Sequence, residues 1–118
     1  MAKVISDADV SSPKSVVATT LDADPGLLVQ TGPTLLYGLH FANTTAAIAF
    51  VQCFNAAALA NVTLGTTVPN AAFPMPLSAT FDVELTKPLN FPLGLVVFAT
   101  TTAGGSTGAA VNGTIVYA

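Results

Sequence analysis

The chain contains no tryptophan and no arginine, one histidine, one cysteine and only three lysines. Each shortage removes a class of function. Nucleic-acid binding needs a dense Lys/Arg surface to neutralise phosphates. Lys3, Lys14 and Lys87 cannot supply one, and the net charge of -3 sets the field against it. The same shortage removes attraction to an anionic membrane surface. The lone Cys53 excludes an intrachain disulfide. The N-terminus has no long apolar stretch, so no secretory signal is expected. The most membrane-like window, residues 46–62, contains Gln52, Asn55 and Asn61 and has no basic flank. A spanning helix needs about 20 predominantly apolar residues. Neither nucleic acid nor a membrane is expected as a partner.

What is present is apolar. Hydrophobic residues make up 52% of the 118, and charged residues only 8%, against about 25% in an average soluble domain. The surface must then be built from Thr, Asn, Ser, Gly and Ala. Such a surface is poorly protected against self-association. It reads as that of a protein whose lateral faces are covered by partner subunits.

The charges are unevenly placed. Lys3, Asp7, Asp9, Lys14, Asp22 and Asp24 lie in the first 26 residues, which Pro13 and Pro25 punctuate. Residues 1–14 are expected to form an N-terminal arm that orders on contact with a neighbour, and residues 15–118 a single domain. Residues 15–21 read as a first strand. Asp22-Ala23-Asp24-Pro25-Gly26 is turn chemistry. Residues 34–41 alternate, with Leu35, Tyr37, Leu39 and Phe41 on one face, pointing inward. After a turn at Asn43-Thr44-Thr45, residues 46–55 form the return strand of an expected hairpin. Ile48, Phe50 and Phe54 share one of its faces, Val51 and Cys53 the other. With both faces apolar, the strand is expected to be covered on both sides, by the opposing sheet and by a neighbouring subunit.

Residues 56–60 offer only a tempting helical turn, and Gly65 a turn. Phe73-Pro74-Met75-Pro76-Leu77 suits an edge or a connection, because two prolines remove two ladder donors. Residues 80–85 alternate cleanly, with Phe81, Val83 and Leu85 inward. Residues 85–92 read as a proline-bounded connection, 93–100 as an apolar strand, 101–108 as a glycine-rich loop and 109–117 as the last strand. Gly113 within it suggests a bulge or close packing. About seven to eight short strands joined by turns make an all-β, antiparallel sandwich or jelly roll.

The inventory for catalysis is nearly empty. In the expected hairpin register, His40 lies opposite about Ile48, and Cys53 opposite about Leu35. That separates them by roughly 16 Å and turns them to opposite sides. A Cys–His dyad is therefore not expected, and Cys53 reads as a small core hydrophobe. The carboxylate pairs Asp7/Asp9, Asp22/Asp24 and Asp82/Glu84 do not approach the 6–8 oxygens of a calcium site. The Gly104-Gly105 loop has no phosphate-binding lysine and no following helix. The sequons at Asn43, Asn61 and Asn112 read as loop or strand residues. No catalytic residue, metal or cofactor is expected.

Several stretches resemble a loosely related group of short tailed-bacteriophage virion structural proteins. They are Leu36-Tyr37-Gly38 leading to Ala42-Asn43, Val51-Gln52-Cys53-Phe54-Asn55-Ala56, Val62-Thr63-Leu64-Gly65-Thr66-Thr67-Val68-Pro69, Phe91-Pro92-Leu93-Gly94-Leu95-Val96-Val97-Phe98-Ala99-Thr100 and Val116-Tyr117-Ala118. The resemblance covers about two-thirds of the chain. It departs from the group's pattern at Gln52 and Cys53, where basic residues are common. It implies a compact β-domain on a capsid or tail, often trimeric, and carries no catalytic residue with it.

The expected function is that of a capsid decoration or cement subunit. It would be a homo-oligomer bound to a major capsid or other virion protein, made in the host cytoplasm without a signal peptide. Leu36, His40, Ile48 and Phe50 are the expected interface residues, and Thr101, Gly104, Gly105 and Ser106 the expected contact loop. A second reading is a tail or fibre-tip adhesin that binds a host glycan. The inward Tyr37 counts against it, whereas Tyr117 beside the 101–108 loop would support it.

Overall fold

A computed structural model describes residues 13–118 of the chain. The expected arm lies outside the described residues except for Pro13 and Lys14, and so does the Asp7/Asp9 pair. Eight strands follow: β1 (Lys14–Leu21), β2 (Leu27–Thr31), β3 (Thr34–Asn43), β4 (Ala49–Asn55), β5 (Ala71–Met75), β6 (Ala79–Phe91), β7 (Gly94–Thr100) and β8 (Val111–Tyr117). Leu59–Asn61 forms a single 3-10 turn.

The strands make two antiparallel sheets. Sheet A has the order β1-β8-β3-β6, and sheet B the order β2-β7-β4-β5. Four of the pairings, β1·β8, β2·β7, β3·β6 and β4·β5, are those of one long folded ribbon with β4 and β5 at its tip. The other two, β3·β8 and β4·β7, join the rolled ribbon to itself. This is an eight-stranded jelly roll, the β-sandwich class expected from the pattern of short strands and turns.

Rolling explains why the expected hairpin of residues 34–41 and 46–55 does not form. β3 belongs to sheet A and β4 to sheet B. The turn between them is a crossing between layers, held by Asn43. Its buried amide donates to the carbonyls of Ala47 (2.9 Å), Met75 (3.3 Å) and Pro76 (3.0 Å). Its Oδ1 accepts from the Thr45 N–H (3.1 Å) and hydroxyl (2.7 Å). A fully paired polar hub of this kind is the form in which a buried amide is tolerated.

The core lies between the sheets. Leu36, Leu39, Phe41 and Ile115 from sheet A meet Val51, Cys53, Met75 and Val97 from sheet B. β6 alternates as expected, with Phe81, Val83 and Leu85 packed against the core. The connection expected at 85–92 is instead the second half of that strand. Leu36 pairs with Leu89 and Gly38 with Glu84, so the four residues 85–88 bulge opposite Tyr37 alone. Pro88 sits in this bulge on an edge strand, where a missing N–H removes no ladder bond. β2 has no counterpart among the expected strands; it is five residues long, and its register shifts between Leu28 and Gln30.

β7 is buried at every position. Its inner face meets the core, and its outer face is covered by the chain's own loops. Phe54, Ala56, Val96 and Phe98 form a second apolar cluster, with Val62 and Leu64 packed over it. Phe54 and Phe98 meet edge to face, centroids 5.8 Å apart. The loop after β7 folds back so that Gln52 donates to the Gly105 carbonyl (3.1 Å) and the Thr100 hydroxyl (2.6 Å). The outer cover expected from a neighbouring subunit is thus supplied in cis over the Phe54 and Gln52 positions.

Candidate functional site

Among the described residues, none closes over the outer face of sheet A. Its residues fall in cross-strand rows, because paired residues of antiparallel strands share a face. The rows are Val116–Gly38–Glu84, Thr114–His40–Asp82 and Asn112–Ala42–Thr80. The central strand contributes small side chains at Gly38 and Ala42, and its neighbours contribute longer ones. A trough results. One hollow of about 250 Å³ is lined by Tyr37, Gly38, His40, Glu84, Leu85 and Val116. A second, of about 260 Å³, lies beyond His40 and includes Ala42, Asp82 and Asn112. A third, of about 470 Å³, continues from Ala42 and Thr80 to Thr44 and Ser78.

Tyr37 reaches this trough because of a one-residue irregularity. The pairing of β3 with both neighbours shifts between Leu36 and Gly38. Strict alternation places Tyr37 inward with Leu39 and Phe41. The shift instead gives the inner position to Leu36, which is fully buried, and leaves Tyr37 half-buried along the trough. A slip of one residue exchanges the faces of a strand.

His40 occupies the middle row. Its Nδ1 lies 2.9 Å from Asp82 Oδ1, with side-chain exposures of 35% and 67%. Its Nε2 leans back over Gly38, 3.7 Å from where a β-carbon there would stand. Gly113 lies in the neighbouring strand. A β-carbon on it would collide with the His40 carbonyl oxygen and come within 2.6 Å of Phe41 Cα. This is the close packing that a glycine inside the last strand suggests. The arrangement can exchange hydrogen bonds and orient an imidazole. No hydroxyl or thiol is bonded to Nε2 among the described residues.

The expected interface residues do not converge. Leu36 is 0% exposed in the chain's own core, so its assignment to an interface is corrected. His40 faces the trough. Phe50 is half-buried on the outer side of sheet B. Ile48, 44% exposed, lies before β4 in a hollow shared with Thr101 and Gly108. That hollow brings one expected interface residue to the expected contact loop. Gly104 at the loop tip has open space around it, Gly105 is tied to Gln52, and Ser106 abuts the turn at Gly65. Gly65 has the positive φ (85°) expected of that turn.

Tyr117 ends β8, whereas the 101–108 loop precedes its start. It lies beside Lys14, whose ammonium is 5.8 Å from the ring centroid. The arrangement that would support the adhesin reading, Tyr117 beside the 101–108 loop, is therefore not made. Cys53 and His40 occupy different sheets, and Cys53 is fully buried, its thiol pushed up to about 12 by burial. Among the described residues, no three His, Cys, Asp or Glu side chains gather as a metal site, and no helix is long and apolar enough to cross a membrane.

The sequence reading missed the trough. Its only trace in the sequence is the pair of small residues Gly38 and Ala42 either side of His40 in one strand register. Compared with known proteins, the chain matches no protein-family model, no curated protein and no solved structure.

Proposed function

We propose that the protein is a non-enzymatic structural subunit of a virion, a capsid decoration or cement protein that works as a homo-oligomer on a major capsid protein. The observation that carries the reading is a charge-poor surface that leaves seven large hydrophobic side chains exposed among the described residues. They are Val17, Leu28, Ile48, Leu59, Val68, Leu77 and Leu93, with Val68 at 82% and Val17 at 66%. Exposed apolar groups on a charge-poor surface favour association. The resemblance to tailed-phage structural proteins and the jelly-roll fold, which builds capsid domains among others, agree with it; fold alone decides no function.

A cement subunit needs no chemical step. Many weak contacts, repeated by symmetry, stabilise a particle by mass action. The hollow where Ile48 meets Thr101, with Phe50 nearby on β4, is the proposed contact surface.

Light scattering across a dilution series tests the reading. The expected result is a closed oligomer, three chain masses for a trimer, and Phe50→Asp shifts it to smaller species. A monomer at every concentration overturns the multimeric reading.

A further inference from the structure

We infer that the trough on the outer face of sheet A is a binding site for an extended, uncharged carbohydrate chain. The site is separate from the proposed contact surface.

β3 is paired on both sides, with β6 and β8. Its backbone has no free edge to which a peptide strand could add, so a ligand lying along it must be read by side chains. Those side chains are mixed in a specific way. Tyr37 and Val116 offer apolar surface at one end. Glu84 and Asp82 offer acceptors, and His40 Nε2 has no partner among the described residues. Thr80 and Asn112, at the other end, can donate and accept.

This lining discriminates among ligand chemistries. No lysine lines any of the three hollows, so an anion would meet two carboxylates without a compensating cation. A purely apolar ligand would strip water from Glu84 and His40 without replacing its hydrogen bonds. An ammonium ion would suit Glu84, but Asp82 is already bonded to His40, and the far end around Ala42 and Ser78 carries no charge. A sugar ring satisfies both halves: its C–H face packs on an aromatic ring, and its hydroxyl rim donates to carboxylates. The three hollows lie in file along β3 from Gly38 to its end at Asn43, five residue steps or roughly 17 Å of strand. That length suits several linked rings.

The test is a titration of the isotope-labelled full chain with neutral hexasaccharides (cellohexaose, maltohexaose, chitohexaose and mannohexaose), with a heparin hexasaccharide and a polylysine peptide as contrasts. At least one neutral hexasaccharide is expected to shift the amide resonances of Gly38, Ala42 and Gly113 saturably. Tyr37→Ser removes the platform, and Ala42→Leu fills the floor without touching the core. Each is expected to weaken binding about tenfold, while Val68→Ser on a different surface leaves it unchanged. Amide spectra of the free variants confirm that they fold. The inference is overturned if no neutral hexasaccharide moves those amides at millimolar concentration. It is equally overturned if heparin or polylysine binds there instead, or if both trough variants bind like the parent. None of these outcomes bears on the oligomeric state, so the two readings fail separately.

Discussion

Sheet A and sheet B have the same number of strands and very different outer faces. Sheet B is covered on one face by the core and on part of the other by the chain's own 56–70 and 101–108 segments, which lie over Phe54 and Gln52 and leave Phe50 half-buried. Its β7 reads as an unbroken apolar run and is buried throughout. Sheet A has one buried face and one wet one, and its β6 alternates accordingly. The lesson concerns what an apolar strand means. A run that is hydrophobic on both faces demands two covers, but it does not say whether the second comes from a neighbouring chain or from a loop of the same one. Here loops provide it over Phe54 and Gln52.

The largest effect is expected at Phe54. Phe54→Ala removes a fully buried ring from the outer cluster of sheet B. It is expected to cost about 3–5 kcal/mol in urea unfolding, whereas Thr114→Ala on the outer face of sheet A stays within about 0.5 kcal/mol. Equal costs would mean that the outer face of sheet B is not a second core.

Cys53 reports on the inner face of sheet B. Burial raises its thiol from 9.0 to about 12. A folded pKa above the unfolded one stabilises the fold fully below pH 9, and that stability is lost as pH rises toward 12. By pH 12 the loss reaches about 4 kcal/mol. Cys53→Ala should lack this component, so the difference between the two stability-versus-pH curves isolates it. Thiol alkylation of the native chain at pH 8 should be negligible.

Gln52 tests the loop cover. Its Nε2 donates to the Gly105 carbonyl of the 101–108 loop and to the Thr100 hydroxyl, which in turn donates to the Thr102 carbonyl, while its buried Oε1 has no partner among the described residues. Gln52→Leu removes those bonds and is expected to cost about 1 kcal/mol. Amide exchange should accelerate in the loop and remain unchanged in β3. The smallest effect belongs to the open face. Asp82→Asn removes an exposed carboxylate from His40, and the stability change should fall below about 1 kcal/mol.

Much of the fold is legible in the residues. Alternation marks β6, the apolar run marks β7, the prolines place β5 at an edge, and Gly113 marks a close approach. The layer order is not legible. The Asn43 crossing looks like a hairpin turn locally, because Asn, Thr and Thr suit either. Only the carbonyls of Met75 and Pro76, more than 30 residues away, make Asn43 a hub between sheets. The candidate site was hidden for a similar reason. Tyr37 faces outward only because β3 slips against both neighbours at once, and no local pattern records a bulge that depends on partner strands.

Composition and local pattern are enough to specify a charge-poor β-protein with turns at its proline, glycine and aspartate clusters. Those properties follow from each residue's own solvation and dihedral preferences. Tertiary structure alone decided which strands pair, which face of β3 carries Tyr37, and that loops rather than neighbours close over Phe54 and Gln52. Pairing and cover depend on contacts between distant segments, where the free energy of burial is gained only once both sides are in place.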